Sequence, residues 1–297
     1  MVDTRPVSAA ARVSGPSKRP GRRSRRLGQN FLTDRNLLDA IVRDAELRPE
    51  DVVLEVGGGE GALTERLAPP VAHLHVVEFD DRLREGLEPL AQEHGNVALT
   101  WGDAMRIDLA ALRPEPTAMV SNLPYSIATP LLLRTIEELP SLDRWIVMVQ
   151  REIADRLRAG HGNRTYGAPS VLVQLCCDVE LLRKVDREVF SPRPRVDSAL
   201  IRIRRRGRAP SAATRWLVSA AFSHRRKSMP RSIELAAQAA ASARAWPGLT
   251  PGELRDRSRS GLEAIGHQAG ARAEALAPAE FSALAENLDQ ALAERTE

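Results

Sequence analysis

The chain has 297 residues, 43% of them hydrophobic and only 4% aromatic, enough for one large domain plus a small one around a real core. No apolar stretch approaches the ~20 residues of a membrane span, and the basic N-terminus lacks the apolar centre of a secretory signal, so a membrane protein is excluded and a cytoplasmic one expected. The net charge of +4 is unevenly placed: residues 1–26 carry +7, the remainder nets −3, and residues 202–231 hold ten Lys/Arg and no acid. Two basic blocks on a mildly acidic body point to nucleic-acid contact, although either block alone also fits a solvated arginine face.

In chain order, residues 1–25 are rich in Pro, Gly, Ser, Arg and Ala without periodic apolar positions, and read as a disordered basic tail. Asp34 is a candidate N-cap for a helix carrying Leu37, Leu38, Ile41, Val42 and Ala45 on one face. Strands are predicted at 52–56, 73–79, 97–101, 118–121 and 144–150, with helices opening at Ala62 and spanning 82–93 and 130–138. Residues 169–179 and 198–204 read as extended. This βαβ succession predicts an α/β fold with a doubly wound, Rossmann-like parallel sheet over residues 26–206, its last strands antiparallel. From residue 207 to 297 the pattern changes to helices separated by Gly and Pro, predicted at 214–223, 233–245, 251–266 and 278–292, which reads as a small all-helical domain; with most of the second basic block in it, nucleic acid is its expected partner, and the resemblance given below makes that RNA. The only cysteines, Cys176 and Cys177, are adjacent, match no zinc spacing, and read as small core hydrophobes of a reducing compartment.

Chemistry is concentrated at the predicted strand ends, where open α/β sheets bind ligands. The turn Glu55-Val56-Gly57-Gly58-Gly59-Glu60-Gly61 lets the backbone approach a ligand closely. Glu78, 21 residues beyond Gly57, can hold ribose hydroxyls. That pattern alone fits either NAD or S-adenosylmethionine. Charge favours the second: Glu55 and Glu60 bracket the turn and would oppose a pyrophosphate, whereas S-adenosylmethionine carries a sulfonium and an ammonium. Asp103, after the third strand, fits an adenine amine, and equally an N-cap. On the fourth strand end stands Asn122-Leu123-Pro124-Tyr125. Read as an ordinary Asn-x-Pro turn it needs no ligand. Read with the other strand ends, it sets the Asn122 side chain and a carbonyl at or before Pro124 as rigid acceptors for an exocyclic amine, with Tyr125 as a stacking face. No histidine pairing or metal spacing is present, so no metal is expected.

With these residues in view, the chain resembles the ribosomal RNA adenine N6,N6-dimethyltransferase family, and within it the bacterial small-subunit branch, from about Arg25 to Leu292. Leu27 to Leu32 is similar to the family's opening signature, Asn122 to Tyr125 to its catalytic loop, and Phe190 to Ser198 to its second signature. Phe222 to Lys227 resembles a basic helix of the C-terminal domain, and Arg272 to Leu276 with Phe281 its closing pattern. The resemblance implies that Asn30, Leu32, Gly57, Glu78, Asp103 and Asn122 contact S-adenosylmethionine, that Tyr125 and Phe190 flank the target base, and that Arg225, Arg226 and Lys227 hold RNA. It implies a monomer that dimethylates two adjacent adenosines near the 3′ end of small-subunit rRNA and serves small-subunit biogenesis. The alternatives are the large-subunit, macrolide-resistance branch and a non-catalytic ribosome-assembly factor. Two departures carry expectations of their own: Gly58, where the family usually has proline, implies a looser turn, and Pro230 implies that a basic helix ends or kinks there.

Overall fold

The computed structural model describes residues 29–239, 246 and 248–293. The tail expected over residues 1–25, and residues 240–245 of the helix expected to reach 245, lie outside them. The elements run β1 (Phe31–Leu32), α1 (Arg35–Asp44), β2 (Val52–Val56), α2 (Thr64–Leu67), β3 (His73–Glu78), α3 (Arg84–Glu93), β4 (Val97–Trp101), β5 (Ala118–Asn122), α4 (Ala128–Glu138) and β6 (Arg144–Gln150). They continue as α5 (Arg151–Arg158), α6 (Ala168–Gln174), β7 (Cys177–Val185), β8 (Phe190–Ser191), β9 (Ser198–Arg205), α7 (Ala212–Phe222), α8 (Met229–Ala239), α9 (Pro251–Ala264) and α10 (Pro278–Ala293).

Seven strands form one sheet in the order β4-β3-β2-β5-β6-β9-β7. The five from β4 to β6 are parallel, and β9 runs antiparallel between β6 and β7. Strands buried on both faces are nearly continuous apolar runs, because alternate side chains serve opposite layers. In β6, Trp145, Val147 and Val149 pack with α4 and α5 on one face, while Ile146 and Met148 pack with α1 on the other. A third cluster gathers the C-terminal helices around Phe281, Leu217 and Ile233, and recruits Ala159, Tyr166 and Val171 from the preceding segment.

Two local expectations are corrected. Residues 168–174 form helix α6, not an extended segment. Val171 and Val173 invite a strand reading, but Gly167 N–H donates to Ser170 Oγ at the first turn and Pro169 sits where no helical N–H is needed. The helix also serves two layers at once, with Val173 in the sheet core and Val171 in the helical one. Pro230 does not end a helix: it occupies the first turn of α8, where its ring is tolerated. The basic residues before it, Ser223 to Ser228, accordingly form the turn between α7 and α8 and not a helix.

Candidate active site

A pocket of about 310 Å³ opens at the carboxyl ends of β2, β3, β4 and β5. The glycine turn after β2 forms its floor. Gly59 has φ +60°, and a Cβ there would meet the Phe31 ring at 3.1 Å, so this residue both turns the chain and admits β1 over the site. Gly58 is the opposite of loose: a Cβ there would stand 2.6 Å from Val76 Cγ1. The space expected from a missing proline is filled by Val76 and Leu87.

Glu78 ends β3 with its carboxylate already oriented. Oε1 accepts the N–H groups of Phe79 and Asp80, both at 2.8 Å, and Oε2 accepts that of Gly59 at 3.0 Å. One side chain thus ties two strand ends together. Glu55 is 1% exposed and accepts the Thr64 hydroxyl at 2.7 Å. Burial, with Glu78 adding to it against the Thr64 bond, pushes its carboxyl up to about 8. Glu55 therefore holds its proton at neutral pH and supplies no charge to the turn, contrary to the sequence reading. Asp103 accepts the Met105 N–H at 2.9 Å, closing a turn over residues 104–106 and not capping a helix, while its other oxygen lies 3.6 Å from Arg106.

On the far wall, Asn122 Nδ2 donates to the Asn30 carbonyl at 3.2 Å, which turns Oδ1 away from that carbonyl. The Pro124 carbonyl accepts the Ile127 N–H at 3.1 Å. Of the two carbonyls considered from sequence, that of Leu123 is the one not engaged in the turn. The Leu123 side chain itself is buried in the core, and its N–H donates to Met148 O at 3.1 Å, so the loop is anchored to β6. Tyr125 lines the pocket, and its hydroxyl lies 2.6 Å from Ser198 Oγ. Burial raises its phenol while the Ser198 bond pulls the other way.

Of the expected residues, Asn30, Leu32, Gly57, Glu78, Asp103, Asn122, Leu123, Pro124 and Tyr125 come together on one pocket wall or another. Phe190 does not. It is 4% exposed and paired with Leu32 in the small β1–β8 ribbon, its side chain belonging to the core layer that contains α1. The expected Tyr125–Phe190 sandwich is thus not formed in this structure, because Phe190 fills the core behind the ribbon. Arg225, Arg226 and Lys227 lie together in the α7–α8 turn, but they differ. All three are exposed, but Arg225 also donates to the carbonyls of Arg164 and Tyr166, both at 3.0 Å, and lies 3.6 Å from Glu274.

Three further pocket residues, Gln29, Phe31 and Phe79, have no individual role in the sequence reading, although the first two lie within the opening signature. Phe79 is 60% exposed on the pocket wall, and an aromatic directly after a strand-end acid was its available signal. Gln29 donates to Asp80 at 3.0 Å, and Asp80 is held down to about 2 chiefly by Arg82. Phe31 covers Gly59. Only proximity in space reveals what the last two touch.

A Rossmann-like sheet whose strand ends carry a glycine turn, an oriented carboxylate and an Asn-Leu-Pro-Tyr loop defines a class I methyltransferase. The chain belongs to the ribosomal RNA adenine dimethylase family, whose model matches residues 22–247. It is 41% identical over 274 residues to the ribosomal RNA small subunit methyltransferase A of Rubrobacter xylanophilus, covering 92% of this chain and 96% of that one. The protein of the same name from Thermobifida fusca is 39% identical, with 90% of each chain covered. Among solved structures, the 23S rRNA methyltransferase ErmE matches with a TM-score of 0.62 and 30% identity, over 88% of this chain and all, 100%, of that one. A dimethyladenosine transferase from Plasmodium falciparum shares the fold, with a TM-score of 0.71 at 22% identity over 88% and 98% of the two chains. Among the described residues, no helix is long and apolar enough to cross a membrane.

Proposed function

We propose that the protein transfers methyl groups from S-adenosylmethionine to N6 of two adjacent adenosines near the 3′ end of small-subunit rRNA, in the course of small-subunit biogenesis. The observation that carries this reading is the Asn122 loop: an amide fixed by the Asn30 carbonyl, next to an unengaged Leu123 carbonyl, in the same pocket as the Glu78 carboxylate. The relatives at about 40% identity along nearly the whole chain support the small-subunit branch over the large-subunit one.

The residues fit the donor. Glu78 presents a carboxylate for ribose hydroxyls, Phe79 an exposed ring face beside it, Asp103 an acceptor for an adenine amine, and the missing Cβ of Gly57 room for close approach. S-adenosylmethionine supplies an electrophilic methyl on a sulfonium. The protein's task is then to prepare the amine. An adenine N6 is a poor nucleophile, since its lone pair is delocalised into the ring. Acceptors at Asn122 Oδ1 and the Leu123 carbonyl draw its two N–H bonds toward a tetrahedral nitrogen and leave the lone pair facing the donor, while Tyr125 holds the ring. This is positioning and electrostatics, worth several kcal/mol. The proton leaves to solvent after transfer, so no side chain has to act as a base. A base inside a duplex cannot reach the loop, so the target is unpaired or flipped out.

The test is to incubate the protein with labelled donor and under-methylated small subunits and to map modified nucleotides by mass spectrometry, with Asn122→Ala in parallel. Dimethyladenosine at two adjacent sites, abolished in Asn122→Ala with donor affinity retained, is expected. Modification confined to large-subunit RNA moves the protein to the resistance branch, and none on any precursor particle favours the assembly factor.

A further inference from the structure

The ring expected to carry the target base is held from behind. Tyr125 lies in the loop between β5 and α4, and α4 begins without a side-chain cap. A tyrosine ring has two side-chain torsions to set. Its hydroxyl, however, reaches Ser198 Oγ at 2.6 Å. Ser198 is fully buried, and it is the first residue of β9, paired with Gln150 of β6 on one side and Val185 of β7 on the other. The carbonyl just before it, that of Asp197, accepts the Arg151 N–H at 3.0 Å. The serine backbone is therefore clamped between two strands at the end of the sheet, and its side chain has a single torsion to set. It is a fixed point from which a hydroxyl reaches the loop.

We propose that Ser198 is a positioning residue for methyl transfer: by holding the Tyr125 hydroxyl, it fixes the plane of the ring against which the target adenine lies. The proposal rests on the reading of this pocket as an adenine N6-methyltransferase site. Displacement at a methyl carbon requires the attacking lone pair to lie in line with the bond that breaks. The Asn122 and Leu123 acceptors set the direction of the amine within the plane of the base, but only a stacked ring sets the tilt of that plane. A ring free to rock passes its rocking to N6, and small misplacements there are costly in rate. Affinity for RNA depends mainly on phosphate contacts elsewhere, so loss of the pin should be felt in turnover and not in binding. A merely structural serine, satisfying its own hydroxyl in the core, would affect stability alone.

The experiment compares Ser198→Ala, Tyr125→Phe and the double variant with the wild type. For Ser198→Ala, kcat is expected to fall about 10-fold or more, with the RNA KM and the donor Kd, measured by calorimetry, changed by less than about 3-fold. Because both substitutions remove one bond, the double variant should be no slower than the slower single one; rate losses that multiply would overturn the proposal. Tyr125→Phe keeps the stack but loses the pin, so it reads the same bond if Ser198→Ala does not fold, and full activity of Tyr125→Phe overturns the proposal too. A readout independent of turnover comes from alkaline absorbance titration of the phenols. The chain has two tyrosines, and Tyr166 is 0% exposed with its hydroxyl donating to the Leu276 carbonyl, so the earlier titration belongs to Tyr125. Loss of the serine donor should move that titration to higher pH, and an unmoved curve overturns the bond. Wild-type protein that methylates no RNA overturns the assigned reaction, whereas active wild type with an indifferent Ser198→Ala overturns the role of Ser198 alone.

Discussion

Glu55 sits 1% exposed beside a second carboxyl, Glu78, and its proton is consequently part of the native structure. With its carboxyl raised from an ordinary 4.5 to about 8, the folded chain keeps a proton that the unfolded chain releases throughout that interval. Stability should then fall as pH rises from about 4.5 to about 8, by up to ~1.4 kcal/mol per pH unit from this group, and level off above. Glu55→Gln should flatten that segment of the curve, which denaturant unfolding at a series of pH values measures; an unchanged slope would place the proton elsewhere. At this scale the sequence revealed which groups matter better than their state. Glu78, Asp103 and Asn122 were legible because each stands at the end of an apolar run. The neutrality of Glu55 was not, because it depends on how deeply the turn is packed. Nor was the burial of Phe190, which depends on its partner Leu32 across 158 residues of chain.

Elements follow the same division. The parallel strands were legible from their continuous apolar runs, whereas α6 was hidden by Val171, Leu172 and Val173, β-rich in composition but packed between two cores. Gly58 illustrates how an element boundary can be set by a neighbour: Gly58→Ala should lose about 1–3 kcal/mol by overpacking against Val76, and Val76→Ala should recover part of that loss in the double variant. Chemical denaturation of the four proteins checks both statements. The α7–α8 turn is a second case. Its three cations read as one RNA-binding cluster in sequence, but Arg225 is spent on the Arg164 and Tyr166 carbonyls. Replacing Arg226 and Lys227 together with Ala should reduce the salt slope of RNA binding by roughly one to two without altering the melting temperature. Arg225→Ala should instead lower thermal stability, by about 0.5–1.5 kcal/mol for the lost hydrogen bonds. An equal effect of all three on the slope would refute the distinction.

For the whole molecule, charge is segregated as the chemistry requires. Residues 1–26 carry +7 while the rest nets −3, so much of the long-range attraction for RNA resides in the tail. Removing residues 1–25 should weaken RNA binding most at low salt and leave donor affinity unchanged, since the tail carries counterion-releasing cations and the donor pocket begins with Gln29. Fluorescence titrations at several salt concentrations decide it. The fold class and the site's location at the strand ends were readable in advance because both follow from periodicity and strand order. The β1–β8 ribbon was not: two residues paired with two others leave no pattern in a sequence.

The place of β9 has a consequence for how the chain is made. It is the last of the sheet's strands to be synthesised, yet it lies inside the sheet, between β6 and β7. Until Arg205 has left the ribosome, β6 offers an unpaired edge of seven mostly apolar residues, Arg144 to Gln150, a template for pairing with other chains. β7, already present and parallel to β6, is a ready wrong partner. Nascent or truncated chains ending before Ser198 should therefore aggregate more readily than the full chain, and the arrival of one eight-residue strand completes the sheet and delivers Ser198 to the site.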